Sequence, residues 1–361
     1  MTLAPARLAP IFVQRMWGSR NLAPLFQAPT LSSSSGLAEL GEEPIGEVWL
    51  TGDKCVFDTG LLAGRSLGQA WTSLPPQWTG SSMLGLPRIP ILVKFIFPED
   101  DLSVQVHPPD NYARAHEADA GGVGKTEMWY ALSAREGAGV RLGFNPAVTP
   151  QSFERAIKEG SAEKCLRRLS VRAEDTFFVP AGVPHTIGPG MVLCEVQQHS
   201  DITYRVFDFN RIGPDGTPRP LHIRKALEVM KFGDAAKNLG QRVQPIQVQC
   251  GPLQRTYLAA CPYFATERWQ FSEPVAALTS QQRFELLVIL DGHGRIASDS
   301  DSQPYRAGEC WFMPAALGAY RFAPDSRTNL LRTYVADLRE FERELAGQRV
   351  EDVARARVVH R

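Results

Sequence analysis

The sequence predicts a mainly β protein with two barrel-like modules and a small helical insertion. Apolar and polar residues alternate from Leu102 to His107 and again from Val192 to Gln197, which is the period-two pattern of half-buried strands. Turns rich in glycine and proline separate such segments along the chain. One strand-turn-strand pattern also occurs twice, which indicates a duplicated module.

The first strand pair carries a histidine, a glutamate, a glutamine and a lysine. In LSVQVHPPD, Gln105 and His107 share one strand face, and the prolines end the strand because they offer no ladder donor. A polar loop leads to KTEMWYAL, in which Lys125 and Glu127 share a face. Two neighbouring strands can therefore bring His107 and Glu127 to one point, with Gln105 and Lys125 beside them.

A later segment, FFVPAGVPHTIGPGMVLCEVQQ, supplies a second histidine. An apolar run ends at Pro180, a turn reverses the chain, and His185 stands where the next strand begins. Glu195 lies on the strand after that. In antiparallel barrels, this order presents a side chain at the mouth of the barrel. We therefore expect His185 to join His107 and Glu127.

Two imidazoles and one carboxylate form a ligand set for a divalent metal. This set suits zinc with an open position for water or substrate, but it also suits iron, manganese or nickel. The residues alone therefore leave the identity of the metal open. A single histidine is more often structural than a ligand. Structural roles are expected for the other five, which are His116, His199, His222, His293 and His360.

The repeated pattern defines two modules. GECWFMPAALGAYRF matches EDTFFVPAGVPHTI when their prolines are superposed, and Ala319 then falls on His185. The second copy therefore lacks this ligand. We expect a catalytic metal-binding domain over residues 1–242 and a second domain without metal ligands over residues 243–361.

Helical segments interrupt the strands. Thr149 can cap a helix that Pro150 begins, which predicts a helical insertion over about 149–169. An amphipathic helix is predicted over about 220–232, and the charged tail is expected to begin as a helix. FELLVILDGHGRI is typical of a hairpin that turns at Asp291–Gly292.

Composition and charge exclude several classes of function. The 361 residues include 39 Lys and Arg and 39 Asp and Glu, so we expect neither nucleic acid nor a membrane surface as a partner. The N-terminus has no long apolar core, which argues against a signal peptide. The six cysteines form no CxxC pair and are expected to be reduced thiols. We therefore expect a cytoplasmic protein, and we take it to be a monomer.

Four motifs together resemble type I mannose-6-phosphate isomerase in its shorter bacterial form: QVHP, GKTE, VPAGxxHT and EVQQHSDITYRVFDFNR. The resemblance extends from Trp17 to about Phe322. It implies two cupin-like jelly-roll barrels and one Zn²⁺ per chain, bound by His107, Glu127 and His185. It also implies interconversion of mannose 6-phosphate and fructose 6-phosphate through a cis-enediol.

The resemblance further implies roles around the metal. Gln105 is a fourth ligand in longer relatives and only flanks the metal in short forms. Arg205 matches the family's catalytic arginine, whose charge can hold the phosphate or stabilise an enediolate oxygen. The alternative for Arg205 is a salt bridge with Asp201 or Asp208.

Proton transfer and phosphate binding leave several candidates open. Glu195, Lys125 and a metal-bound water can each move the proton, although Glu195 can also serve to orient a ligand or Arg205. Lys94 is the single charge in IPILVKFIF, and burial of an unpaired charge is costly, so we expect it to face a polar cavity. Lys94 and Ser103 are expected to be additional phosphate contacts.

Two other functions suit the same ligand set. One is a cupin oxygenase that uses iron, and the other is a non-catalytic protein that binds a sugar phosphate. An oxygenase with an apolar substrate has no use for the charged group of Lys125, Glu195 and Arg205, and a binding protein does not require the metal. The sequence therefore favours the isomerase.

Overall fold

Four antiparallel sheets make up most of the fold in this computed structural model, which describes residues 3–26, 43–213, 216–236, 239–299 and 301–361. In chain order the strands are β1 (Ala6–Leu8), β2 (Ile11–Ser19), β3 (Ile45–Trp49), β4 (Ile91–Ile96), β5 (Val104–Val106), β6 (Glu127–Ala134), β7 (Gly139–Phe144), β8 (Leu166–Ser170), β9 (Thr176–Val179), β10 (His185–Ile187), β11 (Met191–Gln198), β12 (Tyr204–Phe207), β13 (Gln241–Arg242), β14 (Ile246–Cys250), β15 (Leu253–Ala260), β16 (Ala265–Phe271), β17 (Val275–Leu278), β18 (Glu285–Asp291), β19 (His293–Ser298), β20 (Ser302–Arg306), β21 (Cys310–Met313), β22 (Ala319–Pro324) and β23 (Thr328–Tyr334). The α-helices are α1 (Leu67–Trp71), α2 (Pro76–Thr79), α3 (Asp110–His116), α4 (Pro150–Lys158), α5 (Ile223–Val229), α6 (Leu338–Gly347) and α7 (Asp352–Arg355). Short 3-10 helices lie at Gly60–Leu62, Ser81–Met83, Ala118–Ala120, Ala162–Cys165 and Gly233–Ala236.

Two seven-stranded sheets lie at the centre of the molecule. The first large sheet has the order β13-β9-β6-β11-β4-β3-β2, and the second large sheet has the order β1-β21-β18-β23-β16-β15-β14. Met128 and Tyr130 of β6 share one apolar core with Leu286 and Val288 of β18. Because strand residues alternate between faces, the other face of each large sheet is free to face a second sheet.

A smaller sheet covers that other face. A five-stranded sheet, β12-β5-β10-β7-β8, covers the first large sheet, and a four-stranded sheet, β17-β22-β19-β20, covers the second. Trp129 and Ala131 of β6 pack with Val140 and Leu142 of β7 in the core between the first pair. Two sheets packed in this way form a jelly roll. The prediction of a mainly β fold with two cupin-like modules is confirmed.

Helices pack on the outside of the five-stranded sheet. The apolar stripe of α4, which includes Phe153 and Ile157, shares a core with β5, β12 and α5. Thr149 caps α4 by accepting a hydrogen bond from the backbone nitrogen of Ser152, as its position before Pro150 predicts. The tail also begins as a helix, α6.

Three predicted elements differ from the structure. The predicted insertion over 149–169 is helical only to Cys165, since Leu166–Ser170 is strand β8 and pairs with β7. Strand β8 is an edge strand, and pairing with β7 outweighs the local helix propensity. The helix predicted over 220–232 is limited to Ile223–Val229.

Asp291–Gly292 does not form the predicted hairpin. Strand β18 pairs with β21 and β23, whereas β19 pairs with β20 and β22. Asp291 and Gly292 therefore carry the chain from the second large sheet to the four-stranded sheet that covers it. Gly292 has φ +90°, and a Cβ there would lie 2.4 Å from the carbonyl oxygen of Arg327. The glycine permits a sharp change of sheet as well as a hairpin.

The domain boundary at 242/243 stays a prediction. Strand β13 ends the first large sheet at Arg242, close to this boundary. However, β1 pairs with β21, so Ala6–Leu8 lies in the second large sheet.

All six cysteines are free thiols. None of the helices in the described ranges is long and apolar enough to cross a membrane.

Candidate active site

Three strand ends converge on one point in the first module. His107 follows β5, Glu127 begins β6 and His185 begins β10. Nε2 of His107 lies 3.5 Å from Glu127 Oε2, and Nε2 of His185 lies 3.5 Å from Glu127 Oε1. One potential ligand atom of each residue lies within 4.8 Å of the others. The structure therefore brings together the three side chains that the sequence groups as metal ligands.

Backbone carbonyls orient both imidazole rings. Nδ1 of His107 lies 2.8 Å from the carbonyl oxygen of Ile202, and Nδ1 of His185 lies 3.0 Å from that of Val183. Because a carbonyl can only accept, each Nδ1 carries the hydrogen, and each Nε2 keeps a lone pair next to Glu127. Metal-binding histidines are commonly oriented by such contacts.

The cluster is buried and leaves polar atoms poorly satisfied. His107, Glu127 and His185 are each 1 % exposed. Within the described part of the chain, His107 Nε2 and Glu127 Oε2 make no hydrogen bond, and Glu127 Oε2 lies 3.2 Å from Lys125 Nζ and 3.5 Å from His107 Nε2. Burial lowers the pKa of His185 to about 4 and the pKa of His107 well below its usual value. Two neutral imidazoles beside a buried carboxylate fit a divalent cation.

Gln105 lies beside this cluster. It is opposite His185 in the register of β5 and β10. Its side-chain nitrogen is 3.3 Å from His185 Nε2, and its side-chain oxygen accepts a hydrogen bond of 3.1 Å from Ser103 Oγ. In this arrangement the amide turns its nitrogen, rather than its oxygen, towards the cluster. Gln105 is therefore a neighbour of the three side chains, and a role as fourth ligand would require the amide to rotate.

Lys125 and Glu195 extend the charged cluster. Nζ of Lys125 is 3.2 Å from Glu127 Oε2 and 3.8 Å from Glu195 Oε1. Nε1 of Trp129 donates to both carboxylates, at 3.1 Å to Glu127 and 3.0 Å to Glu195. Burial acts to lower the pKa of Lys125, but Glu127 and Glu195 outweigh burial and raise this pKa. Burial, followed by the charge of Glu127, raises the pKa of Glu195.

Lys94 lies in the polar cavity, as the cost of burying its charge predicts. It is 2 % exposed, and its Nζ lies 3.4 Å from Asp201 and 3.8 Å from both Glu47 and Glu195. Lys94 and then Arg15 outweigh the effect of burial and lower the pKa of Glu47 to about 2. Because three carboxylates surround Lys94, a phosphate contact at this residue stays a prediction.

Arg205 on β12 faces the same cavity. Its Nε lies 3.2 Å from Ser103 Oγ, and its Nη1 donates to the carbonyl oxygen of Pro220 at 3.1 Å. Asp201 and Asp208 pair with other cations. Arg205 thus forms no ion pair with any residue that the structure describes, and the alternative of a salt bridge with either aspartate is not observed.

A cavity of about 700 Å³ opens next to the cluster. Six residues that the sequence analysis proposes for the site line it, and these are Lys94, Ser103, Gln105, Lys125, Glu195 and Arg205. It is also lined by Arg15, Trp17 and Arg219, to which the sequence assigns no site role, and by His222, for which a structural role is expected. Arg15 and Trp17 lie on β2, and the other two follow β12 in a loop rich in glycine and proline. No period or spacing connects these segments, so only the folded chain brings them together.

Comparisons with known proteins show what the chain is similar to. A family model described as mannose-6-phosphate isomerase, cupin domain, matches residues 254–335. The chain is 33 % identical to mannose-6-phosphate isomerase ManA of Bacillus subtilis strain 168 over 328 residues, which cover 89 % of this chain and 96 % of that protein. It is 31 % identical to the mannose-6-phosphate isomerase of Streptococcus mutans over 88 % of this chain and 96 % of that protein. The crystal structure of the Bacillus subtilis mannose 6-phosphate isomerase superposes with a TM-score of 0.79 at 24 % identity, covering 91 % of this chain and 99 % of that chain.

Proposed function

The chain belongs to the mannose-6-phosphate isomerase family, and from this premise we propose how its cavity interconverts mannose 6-phosphate and fructose 6-phosphate. The enzyme is an aldose–ketose isomerase with a small sugar phosphate as its substrate. The observation that carries the proposal is the convergence of His107, Glu127 and His185, with a buried Nε2 that has no hydrogen-bond partner among the described residues.

We propose that these three side chains hold one Zn²⁺. Two nitrogens and one oxygen suit zinc and leave a position open for substrate. When bound, the ion supplies Lewis acidity that polarises the carbonyl and hydroxyl oxygens of the sugar. The carbonyl contacts of both Nδ1 atoms support this role, since they leave Nε2 of each ring available as a ligand.

Glu195 is proposed to move the proton between C1 and C2. In the aldose-to-ketose direction, it removes the proton from C2 and a cis-enediolate forms. The hydroxyl proton of O2 then passes to O1, and Glu195 delivers its proton to C1, so that C2 becomes the carbonyl carbon. Glu195 lines the cavity, and Trp129 holds one of its carboxylate oxygens at 3.0 Å. The hydrogen bond fixes the carboxylate while the other oxygen, Oε1, faces the lysines.

Lys125 is proposed to stabilise negative charge on the enediolate, and Arg205 is proposed to hold the phosphate. Lys125 lies between Glu127 and Glu195, which favours its ammonium form. A preorganised cation at this position lowers the energy of a developing oxyanion without rearrangement during the reaction. Arg205 is free of ion pairs within the described ranges and is fixed by Ser103 and Pro220, so its charge is available to an anion.

A coupled assay tests the isomerase. Purified protein should form fructose 6-phosphate from mannose 6-phosphate, lose this activity on chelation and regain it with Zn²⁺. His185→Ala should lose metal and activity together, whereas Arg205→Ala should keep its metal and lose turnover. Absence of product with metal-replete protein would refute the function, and full activity in either variant would refute the role given to that residue.

The charged cavity weighs against the two other functions. Lys125, Glu195 and Arg205 all line it, and an oxygenase with an apolar substrate would have to desolvate these groups without compensation. A binding protein would bind the sugar phosphate without converting it, and the coupled assay would then show no product. We further propose that the enzyme acts in the cytoplasm as a monomer. Size-exclusion chromatography with light scattering measures the molar mass and so tests the monomeric state.

A further inference from the structure

We propose that Arg219 joins Arg205 in binding the phosphate group of the substrate, and that Asp208 positions Arg219 for this role. The inference rests on the proposed function, because it takes the substrate to be a hexose 6-phosphate. It goes beyond that function by naming the side chains that select for the phosphate.

The strand register places Arg205 at a suitable distance from the metal cluster. Arg205 on β12 lies opposite Gln105 on β5, and Gln105 lies opposite His185 on β10. Directly opposed residues share a face, and two strand spacings amount to about 10 Å. Seven bonds separate C1 of a hexose 6-phosphate from phosphorus, and at about 1.5 Å per bond a zigzag chain spans roughly 7–9 Å. With C1 and C2 at the cluster, the phosphate therefore reaches Arg205.

The cations that line the cavity differ in their partners. Arg15 pairs with Glu47, and both lysines of the cavity lie among carboxylates. Arg205 has no ion pair within the described ranges. Burial and the nearby guanidinium of Arg219 lower the pKa of Arg205, so two like charges face one part of the cavity. A phosphate dianion would relieve this repulsion and accept hydrogen bonds from both guanidiniums.

Asp208 holds Arg219 in place. Its carboxylate accepts hydrogen bonds from Arg219 Nε at 2.7 Å and from Arg219 Nη2 at 2.5 Å. Asp208 is 6 % exposed, whereas the side chain of Arg219 is 25 % exposed and lines the cavity. A bidentate contact fixes the plane of a guanidinium and leaves its remaining N–H groups free to bind a ligand.

A second arginine on Asp208 provides a matched control. Nη2 of Arg211 lies 2.6 Å from Asp208 Oδ1, but Nη1 of Arg211 donates to the carbonyl oxygen of Asp101 at 2.5 Å. Arg211 does not line the cavity. Arg211 and Arg219 thus contact the same carboxylate, but only Arg219 lines the cavity.

The first experiment compares Arg219→Gln with Arg211→Gln in the full-length, zinc-loaded enzyme. Arg219→Gln should raise the KM for mannose 6-phosphate by about ten-fold or more and raise the inhibition constant of inorganic phosphate similarly, since hydrogen bonds to charged groups contribute about 1.5–3 kcal/mol. Arg211→Gln should change both values less than three-fold. Metal content and Tm of each variant confirm that it is folded and loaded.

Asp208→Asn separates positioning from a purely structural role. It should raise KM several-fold with little change in kcat, and Asp208→Glu should restore part of the loss. A lower Tm with unchanged KM and phosphate inhibition would overturn the role of Asp208. Parental KM and phosphate inhibition in Arg219→Gln would overturn the phosphate subsite. The parent enzyme is assayed first, so that a lack of chelator-sensitive turnover there counts against the proposed function and not against this subsite.

Discussion

The two large sheets share one strand order over six of their seven strands, and they differ in what their central carboxylate contacts. Glu127 of β6 pairs with Val179 of β9, and Glu285 of β18 pairs with Met313 of β21. Val179 and Met313 each precede the proline of the repeated motif. A glutamate therefore occupies the same position in both modules.

The neighbouring strands carry opposite charges at matched positions. Two residues after the central glutamate, the register leads to Glu195 on β11 in the first module and to Arg332 on β23 in the second. The next strand then carries Lys94 opposite Glu195 and Glu267 opposite Arg332. The two modules thus use one backbone arrangement for two different distributions of charge.

In the second module, a guanidinium contacts the glutamate that matches Glu127. Arg332 Nε donates to Glu285 Oε2 at 2.9 Å, its Nη2 binds Glu285 Oε1, and its Nη1 lies 3.3 Å from Glu267. Ala319, at the position that matches His185, is exposed and offers no ligand. In the first module, the proposed cation comes from solution, whereas the second module has one built into the chain. This difference is consistent with the proposal that the first module carries the catalytic site.

The largest expected effect is on the first module. His185→Ala should lose the bound metal and reduce turnover by roughly a thousand-fold or more, because Lewis-acid stabilisation contributes several kcal/mol to the transition state. Metal analysis and the coupled assay measure these changes. Ala319→Ser, at the matched position of the second module, should retain both properties. Equal effects at the two positions would contradict the assigned difference.

In the second module, Arg332→Met should reduce stability instead of metal binding. It leaves Glu285 buried without its main partner and removes one of the two arginines that contact Glu267. Removal of one partner from a buried pair costs about 3–5 kcal/mol. Urea denaturation measures the free energy of unfolding. Ala319→Ser serves as the control, and its free energy of unfolding should equal that of the parent. A loss below about 1 kcal/mol in Arg332→Met would show that the guanidinium does not stabilise the two buried carboxylates.

Zinc should stabilise the first module alone. At a free concentration of one hundred times Kd, zinc should raise the free energy of unfolding of metal-free protein by about 2.7 kcal/mol. Glu127→Gln should abolish most of this gain, whereas Glu285→Gln should retain it on a less stable background. Calorimetry with and without zinc measures the shift. An equal gain in both variants would place the bound ion elsewhere.

The smallest expected effect is a pH dependence of the second module. Burial acts to raise the pKa of Glu267, but Arg255 and Arg332 outweigh it and hold this pKa well below its usual value. Its charge therefore stabilises the fold above the unfolded-state pKa, and the contribution is lost as the pH falls towards the folded-state pKa. The stability difference between the parent and Glu267→Gln should shrink by about 1.5 kcal/mol between pH 4.5 and pH 3. A constant difference over this range would argue against a charged Glu267.

Local patterns predicted the reactive end of the cavity well. The alternation around His107 and the turn before His185 identify strand ends, and strand ends are where a sheet presents side chains to a cavity. The structure brings both residues to Glu127. The metal-binding role itself stays a prediction until an ion is measured.

The rest of the cavity is harder to predict. Arg15 and Arg219 lie more than two hundred residues apart in the chain and sit in segments without a shared pattern. Arg205 is identified by resemblance, and its lack of an ion pair among the described residues depends on Asp201 and Asp208 having other partners. Such competition between side chains is a property of the folded arrangement.

The sequence by itself determined the β class, the duplicated module and the residues at strand ends, because period-two alternation and turn chemistry act over a few neighbouring residues. It did not determine that Leu166–Ser170 is a strand or that Asp291–Gly292 connects two sheets. Only the tertiary structure decided these, since pairing with a distant strand outweighs weak local preferences. The tertiary structure also decided which cationic side chains lack an ion-pair partner among the described residues. An ion pair depends on the distance between two side chains, and the order of residues along the chain does not set that distance.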